Sequence, residues 1–495
     1  MARQETFSSR WSLILAAIGL VVGTGNIWRF PRIVAKNGGG TFLIAWFVFL
    51  FLWSIPLLIA EFAIGKTTRR GTIGAIAKLI GPRFSWIGGF IGFCTVAIMF
   101  YYSVVMGWCL RFFVASLSGS LFKTSPDVFW NAFITSTWQP ILFHAIAISL
   151  GAVIVLRGIT KGVERANNIL IPLLIIMLII AAVRALSLPG AVDGLNFFFS
   201  PDWHVLTNHR VWLEALSQSA WSTGAGWGLI LTYAVYMRQK EDIVLNSFLA
   251  GLGNNSASLL VGLSIFPAVF ALAPQLGVQP QEVMQVTGPA STGMAFIWMP
   301  RLFAQMPGAK FFTSIFFLSL TIAALTSLIA MIELAVRNLI DLGFKRSRAL
   351  VFVWLAGFFL GVPSASKMAF FENQDWVWGI GLLVSGFFIA FTVNKYNPRK
   401  FRDKCINTEY NDVKIGVWYE WIIRFLIPAE FVILLGWWFY RAIAFYEPHA
   451  WWHPFRTFSV GTCLFQWGAV ILLFVILNRQ IAKKLDHAER LKNDA

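Results

Sequence analysis

The chain has 495 residues, of which 57% are hydrophobic and only 13% charged, and its net charge is +17. Soluble domains carry about 25% charged residues, so this composition excludes a water-soluble globular fold. The positive charge does not indicate a nucleic-acid partner, because the basic residues occupy alternate loops and form no single patch or tail.

Apolar runs of about 20 residues, the length needed to cross a bilayer core, recur along the whole chain. We therefore predict an all-α polytopic membrane protein, with residues 1–495 forming one transmembrane domain in the lipid bilayer. The predicted helices are 12–36, 41–66, 86–117, 140–157, 167–186, 213–238, 243–272, 311–342, 347–362, 376–395, 417–444 and 458–485.

The loops between these helices differ in charge. Basic residues follow the second, fourth, eighth and tenth apolar runs, whereas the segment 118–138 holds only Lys123. Cytoplasmic loops of membrane proteins carry an excess of Lys and Arg. The pattern predicts a multi-pass protein of the inner (plasma) membrane with both termini in the cytoplasm.

Glycines interrupt the first and the sixth predicted helices, at residues 23–25 and 224–228. Each interruption leaves half-helices of about ten residues, which are too short to span a membrane alone. Breaks at matching positions of two inverted halves indicate a transporter with a binding site near the membrane midplane. The alternative is helix packing, because Gly19 to Gly23 and Gly224 to Gly228 both read GxxxG.

Around these breaks the sequence resembles the neurotransmitter:sodium symporter family, whose fold is that of the bacterial leucine transporter. The resemblance rests on GNIWRFP at 25–31 and NGGG at 37–40, then on Glu61, Tyr101 and Tyr102, and on residues 323–327. It covers helices 1 to 10 in order, and helices 11 and 12 match only in placement. It implies sodium symport by alternating access, with a first inverted repeat at 12–186, a second at 213–395, and helices 11 and 12 at 417–485.

The resemblance implies two sodium sites, built from the oxygen ligands that hard cations prefer. The first site takes the carbonyl of Val21, the side chains of Asn26, Ser222 and Asn254, and the substrate carboxylate. The second takes the carbonyls of Gly19, Val22 and Ala323 and the hydroxyls of Thr326 and Ser327. Alternatively, the two hydroxyls bond to carbonyls one turn earlier in their own helix.

The resemblance also implies a pocket for a small amino acid. The carboxylate is expected near Val21, Gly25 and the Tyr102 hydroxyl. The remaining pocket residues are expected to be Leu20, Thr24, Ile98, Trp221, Ser222, Gly224, Trp227, Ser327 and Met331. Relatives that carry biogenic amines have an Asp where this chain has Gly23, so the predicted substrate is an amino acid and not a monoamine. Its side chain is expected to be neutral, because none of these pocket residues carries a charge.

Two gates follow from the same resemblance. Arg29 and Asp375 match the outer charged pair, and Tyr236 and Asp341 match the inner gate. The N-terminal Arg of the family aligns with Gln4, so either Arg3 replaces it or the inner latch is weaker. Glu61 is expected to bind polar groups near the first break.

Chloride dependence is predicted from a departure at Ser258, where the leucine transporter has a Glu beside the first sodium site. Relatives with Ser at this position bind chloride. The matching donors here are Gln218, Ser222, Asn254 and Ser258, with Trp46 in place of a Tyr. The alternative is that Ser258 only packs and that a proton or water compensates the sodium charge.

Two other functions compete with transport. A sensor that kept the fold and lost transport would have disrupted ion ligands, and none is disrupted. A membrane enzyme would need converging catalytic or metal-binding residues, and the sequence has no HExxH motif and no Walker loop. We therefore predict a transporter and no enzymatic activity, while the oligomeric state is left open.

Overall fold

The computed structural model describes residues 5–285 and 292–493, and within these ranges every regular element is helical. In chain order the helices that form the membrane domain are α1a (Arg10–Val21), α1b (Gly25–Lys36), α2 (Gly40–Thr68), α3 (Pro82–Ser118), α4 (Gln139–Leu156), α5 (Ile159–Leu186), α6a (His209–Ser222), α6b (Leu229–Ala234), α7 (Ile243–Leu276), α8 (Ala309–Asp341), α9 (Arg346–Ser366), α10 (Met368–Tyr396), α11 (Trp418–Tyr446) and α12 (Val460–Arg490).

Ten of these helices are each long and apolar enough to cross a membrane, and the pair α1a and α1b adds an eleventh span that is bent by 54°. The pair α6a and α6b corresponds to the predicted sixth helix and is interrupted between Ser222 and Leu229. The predicted all-helical membrane fold with breaks in helices 1 and 6 is confirmed. The division into two inverted repeats stays a prediction.

One predicted boundary is wrong in a way that affects the site. We predicted the tenth helix to begin at residue 376, whereas α10 begins at Met368. The residues from Glu372 to Asp375 are polar, so the predicted apolar run did not include them. The helix nevertheless begins before these residues and continues through them. Asp375 is therefore held on a helix and not in a loop.

The broken helices lie at the centre of the molecule. α1a packs against α5, α7 and α8, while α6a and α6b pack against α2. α3 and α8 are largely buried, whereas only 22% and 28% of the most apolar stretches of α11 and α12 are buried. Apolar side chains on such outer helices are what a lipid environment requires.

The break in α1 begins where the backbone leaves the helical conformation at Val22, with φ −80° and ψ 86°. In the break of α6, Gly224, Gly226 and Gly228 have φ of 65°, 88° and 74°. Glycine adopts this left-handed region without the penalty of a side chain, so the chain can unwind here. Packing also requires Gly226, because a Cβ there would lie 2.5 Å from the Cα of Gly386 on α10.

Candidate functional site

A cavity of about 520 Å³ runs from the two helix breaks to one face of the molecule. The end at the breaks, which we call the deep end, has no charged side chain. It is lined by Leu20, Val21, Gly23, Thr24, Gly25, Asn26, Tyr102, Val105, Trp221, Ser222, Gly224, Trp227, Ser327 and Met331. The end at the surface, which we call the mouth, is lined mainly by charged and aromatic side chains, including Arg32, Lys36, Arg210, Arg441, Trp438 and Tyr446.

The predicted substrate residues all line this cavity except Ile98, which is a correction. Ile98 lies on α3 one turn before Tyr102, but it is buried in the hydrophobic core. The hydroxyl of Thr95, on the same part of α3, donates to the carbonyl oxygen of Trp227 at 2.6 Å. The unwound chain of α6 thus covers this part of α3, and Val105 lines the cavity instead.

The Tyr102 hydroxyl faces the break in α1. Its oxygen accepts from both the backbone N–H and the hydroxyl of Thr24, each at 3.2 Å. Its own hydrogen is therefore available to a ligand in the deep end. A Cβ on Gly23 would lie 3.0 Å from this oxygen and 3.0 Å from Oγ of Ser327, while Gly25 faces open space. A side chain at residue 23 would require the Tyr102 and Ser327 hydroxyls to shift, whereas a ligand can approach the backbone at residue 25.

The predicted first sodium site is a convergence of amide and carbonyl groups. One amide atom of Asn254 lies 2.8 Å from the carbonyl oxygen of Ser222, 3.1 Å from that of Val21 and 2.8 Å from Nδ2 of Asn26. If this Asn254 atom is the amide oxygen, an acceptor, it lies against two carbonyl oxygens that are also acceptors. If it is the amide nitrogen, a donor, it lies against the Asn26 nitrogen, which is also a donor. A cation between the oxygens would remove the first conflict, so these residues fit a sodium ion.

The predicted second sodium site lies where α8 packs against α1a. The Thr326 hydroxyl donates to the carbonyl oxygens of Ile322 and Ala323 in its own helix, both at 3.1 Å. The Ser327 hydroxyl instead donates across to the carbonyl oxygen of Leu20 at 3.2 Å. Thr326 therefore bonds within its own helix, as the alternative prediction had it. Ser327 does not, and its hydroxyl connects α8 to α1a beside the break. The assignment of both sodium sites stays a prediction.

Two of the five predicted chloride residues have polar atoms without partners. Nε1 of Trp46 and both polar atoms of the Gln218 amide are buried without a hydrogen-bond partner among the described residues. Trp46 on α2 and Gln218 on α6a belong to helices that pack together. Ser258 receives a hydrogen bond from Nδ2 of Asn26 at 2.8 Å. A buried donor without an acceptor is unfavourable by about 1–3 kcal/mol, and an anion would give Trp46 and Gln218 an acceptor. The chloride site stays a prediction.

The two gate residues nearest the deep end do not pair. Arg29 and Asp375 both line the cavity, but they form no ion pair within 4.0 Å. The Arg29 guanidinium lies 4.7 Å from the centroid of the Trp221 ring, and its Nε is buried without a partner. The route from the mouth to the deep end is therefore open.

The opposite side of the molecule is closed. The Tyr236 hydroxyl donates to Glu333 at 2.6 Å, and Arg346 pairs with the same carboxylate at 2.5 Å. Asp341 pairs with Arg337 at 2.5 Å. Neither Glu333 nor Arg346 was predicted from the sequence. An acidic residue in the middle of an apolar helix was the available signal, since charges at membrane depth are usually functional.

The N-terminal segment adds to this closure. The backbone N–H of Phe7 donates to the carbonyl oxygen of Tyr236 at 3.0 Å, and that of Ser8 donates to Glu164 at 2.9 Å. The predicted inner-latch residues Arg3 and Gln4 lie outside the described residues.

Glu61 is a second correction, because it serves the break in α6 and not the break in α1. Its carboxylate accepts from the backbone N–H groups of Gly226 at 2.6 Å and Leu231 at 3.0 Å. Gly226 lies in the unwound chain, and Leu231 lies in the first turn of α6b. Glu61 therefore stabilises the start of a helix that has unpaired backbone N–H groups.

Comparisons with known proteins indicate one family and cover most of the chain. The profile of the Sodium:neurotransmitter symporter family matches residues 4–138 and 134–483. An uncharacterized sodium-dependent transporter of Methanocaldococcus jannaschii is 31% identical over 86% of this chain and 88% of its own. A sodium- and chloride-dependent GABA transporter of Drosophila melanogaster is 30% identical over 70% of this chain and 40% of its own. The crystal structure of MhsT in complex with L-phenylalanine matches with a TM-score of 0.76 and 29% identity, over 88% of this chain and 99% of that one.

Proposed function

This chain belongs to the sodium:neurotransmitter symporter family, and we propose that it imports an amino acid with a neutral side chain. As a member of this family, it is a sodium-dependent multi-pass membrane transporter of a small substrate and not an enzyme. Sodium and substrate move together in this proposal. Two sodium ions bind beside the broken helices, one at each of the predicted sites.

The observation that carries the proposal is the chemistry of the deep end. It offers the free hydrogen of the Tyr102 hydroxyl and open backbone at Gly25, next to the start of α1b. A helix N-terminus favours a carboxylate because its first N–H groups are unpaired. The residues that line the deep end carry no charge, so a charged substrate side chain would find no partner there. The likeness to MhsT, whose structure contains L-phenylalanine, supports the same substrate class.

The state of the two gates supports alternating access. With both termini placed in the cytoplasm, as the loop charges favour, the open mouth faces the outside of the inner (plasma) membrane. The closed network around Glu333 then faces the cytoplasm. Import requires the pair Arg29 and Asp375 to close and this network to open.

Chloride is part of the proposal. Trp46, Gln218 and Ser258 lie in a region with buried donors, and an anion there would offset the charge of a sodium ion at the first site. The GABA transporter of Drosophila and a taurine transporter of the dog are named as sodium- and chloride-dependent.

Uptake into proteoliposomes tests the proposal. We expect radiolabelled neutral amino acids to accumulate with an inward sodium gradient, and not when choline replaces sodium at a matched membrane potential. Binding without uptake would instead support a sensor. Equal uptake of an amino acid and its decarboxylated amine would contradict the proposed role of the carboxylate.

A further inference from the structure

The Trp221 indole lies in a gap on the surface of α10. A Cβ on Gly379 would lie 2.2 Å from Cζ2 and 3.0 Å from Cη2 of the indole. Carbon atoms in contact are normally about 3.5–4.0 Å apart. The outer edge of the ring therefore occupies the space that a side chain at residue 379 would need, and we call this space the Gly379 notch.

The backbone gives no reason for a glycine at this position. Gly379 lies inside α10, and its φ is not in the left-handed region that favours glycine. Glycine in the interior of a helix is less stabilising than alanine, because it loses more conformational freedom on folding. What requires glycine here is the space that the Trp221 indole takes.

Two further contacts hold the indole beside the notch. The Arg29 guanidinium lies 4.7 Å from the centroid of the Trp221 ring, within the range of a cation–π interaction. The Trp227 ring lies 5.9 Å away, with the two ring planes at 78°. Trp221, Trp227 and Gly379 all line the cavity. An indole that leaves the notch must move away from α10, into the cavity that it lines.

The notch and Arg29 act differently in the proposed transport cycle. Arg29 leaves the indole when it pairs with Asp375, whereas the notch is part of α10 itself. Gly379 lies four residues after Asp375 and therefore on the same face of the helix. One face of α10 thus provides both the carboxylate of the outer gate and the resting place of the aromatic ring beside it.

We propose that Gly379 is a positioning residue for Trp221 and sets the largest substrate side chain that the transporter accepts. The notch keeps the outer edge of the indole clear of the deep end, so this volume stays available to the substrate. The inference rests on the proposed function, because it requires that the amino acid bind at the deep end.

Equilibrium binding to the full-length protein in lipid nanodiscs tests the proposal. The radiolabelled ligands are glycine, L-alanine, L-valine, L-leucine and L-phenylalanine. The methyl group of Gly379→Ala displaces the indole, so affinity should fall about tenfold for the largest amino acid that the wild type binds, and less than about threefold for the smallest. Gly436→Ala on α11 is the matched control, because a Cβ there meets no atom within 4 Å.

Trp221→Phe separates the notch from a general effect on α10. A phenyl ring is smaller than an indole and does not fill the notch, so Gly379→Ala should have no further effect in the Trp221→Phe background. The wild type, the two single variants and the double variant form a double-mutant cycle that isolates the contact between the two residues. A general disturbance of α10 would lower affinity in both backgrounds and for side chains of every size.

The position of the indole can also be measured without an amino acid. Gly25→Cys places a thiol in the deep end, where a Cβ meets no atom within 4 Å, and the four native cysteines are buried. Neutral methyl methanethiosulfonate should label this thiol more slowly when Gly379→Ala is added. The rate should recover when Trp221→Phe is added as well, and Gly436→Ala should leave it unchanged.

The proposal is overturned by an affinity that does not fall with side-chain size in Gly379→Ala, by the same loss in the Trp221→Phe background, or by an unchanged labelling rate. If the wild type binds none of these amino acids, the proposed function fails, and the labelling rate still decides the role of Gly379. If Gly379→Ala alone does not yield folded protein, Trp221→Phe should restore folding. A double variant that also fails to fold would overturn the role of the notch.

Discussion

Arg29 and Asp375 line one cavity from two different helices without forming an ion pair, and the Arg29 guanidinium lies over the Trp221 ring at 4.7 Å instead. On the opposite side, Tyr236, Glu333 and Arg346 are joined by short hydrogen bonds. One gate is open while the other is closed. In the proposed transport cycle, Arg29 and Asp375 pair when the network of Tyr236, Glu333 and Arg346 opens.

Asp375→Asn tests the outer gate. The neutral side chain cannot pair with Arg29 when the gate closes, so uptake should fall about tenfold or more while substrate binding changes little, because the missing contact forms only in the closed state. Asp127→Asn, which removes the carboxylate of the exposed pair with Arg301, is the control. Wild-type uptake in Asp375→Asn would show that the pair is incidental.

Asn26→Ala tests the first sodium site. The Asn26 amide accepts from the Gly23 N–H at 3.1 Å and donates to Asn254 and Ser258. Its removal should lower the apparent sodium affinity about 10- to 100-fold, as loss of a metal-ligating or supporting group typically does. Asn168→Ala, an exposed position on α5, should leave it unchanged. Sodium titration of substrate binding measures both, and equal affinities in the two variants would argue against the site.

Tyr102→Phe tests the carboxylate contact. A hydrogen bond to a charged group contributes about 1.5–3 kcal/mol, so affinity for the amino acid should fall roughly 10- to 100-fold. Affinity for the corresponding decarboxylated amine should hardly change. Tyr440→Phe alters an exposed residue of α11 and serves as the control. A similar loss for acid and amine would place the substrate elsewhere.

Chloride replacement by gluconate tests the anion region. Uptake should decrease in the wild type because the sodium charge loses its compensation, and Ser258→Glu should restore chloride-independent binding by supplying a fixed carboxylate. Trp46→Tyr introduces the residue that chloride-dependent relatives have and should raise chloride affinity. Unchanged uptake without chloride, with residual chloride measured, would mean that Trp46 prevents anion binding.

Glu61→Gln tests the support of the broken α6. The substitution replaces one acceptor oxygen by a donor beside the N–H groups of Gly226 and Leu231. One buried N–H then lacks a partner, so the protein should lose about 1–3 kcal/mol of stability and unfold at a lower temperature. Glu489→Gln, at a largely exposed carboxylate that pairs with Arg70, should change stability by less than about 1 kcal/mol. Equal melting temperatures for the two variants would refute this role of Glu61.

The fold was predictable because a bilayer imposes a length and a composition on each helix. The breaks were predictable as well, since glycines such as Gly224 and Gly226 stand where an apolar helix otherwise continues. The start of α10 was not, because the polar residues before Asp375 resemble a loop when they are read without their neighbours.

The contacts between helices were less accessible to sequence reasoning. Nothing local to Glu61 distinguishes the break in α6 from the break in α1, because the choice depends on how α2 packs. Ile98 occupies a pocket position by alignment, yet the chain near Trp227 covers its part of α3. Tyr236 matched an inner-gate residue of the family. Its pairing with Glu333 was not predictable, because it depends on which face of α8 packs against Tyr236.

The dependence of α6b on Glu61 has a consequence for biosynthesis. α6b has only 6 residues, and short isolated helices are unstable because nucleation is unfavourable. Its first N–H groups find their acceptor on α2, which the ribosome produces much earlier. The sixth segment should therefore enter the bilayer as a poorly inserted intermediate and become stable only after it meets the second. Truncated nascent chains that end after α6b should be integrated with wild-type Glu61 and remain accessible from the lumenal or periplasmic side with Glu61→Gln.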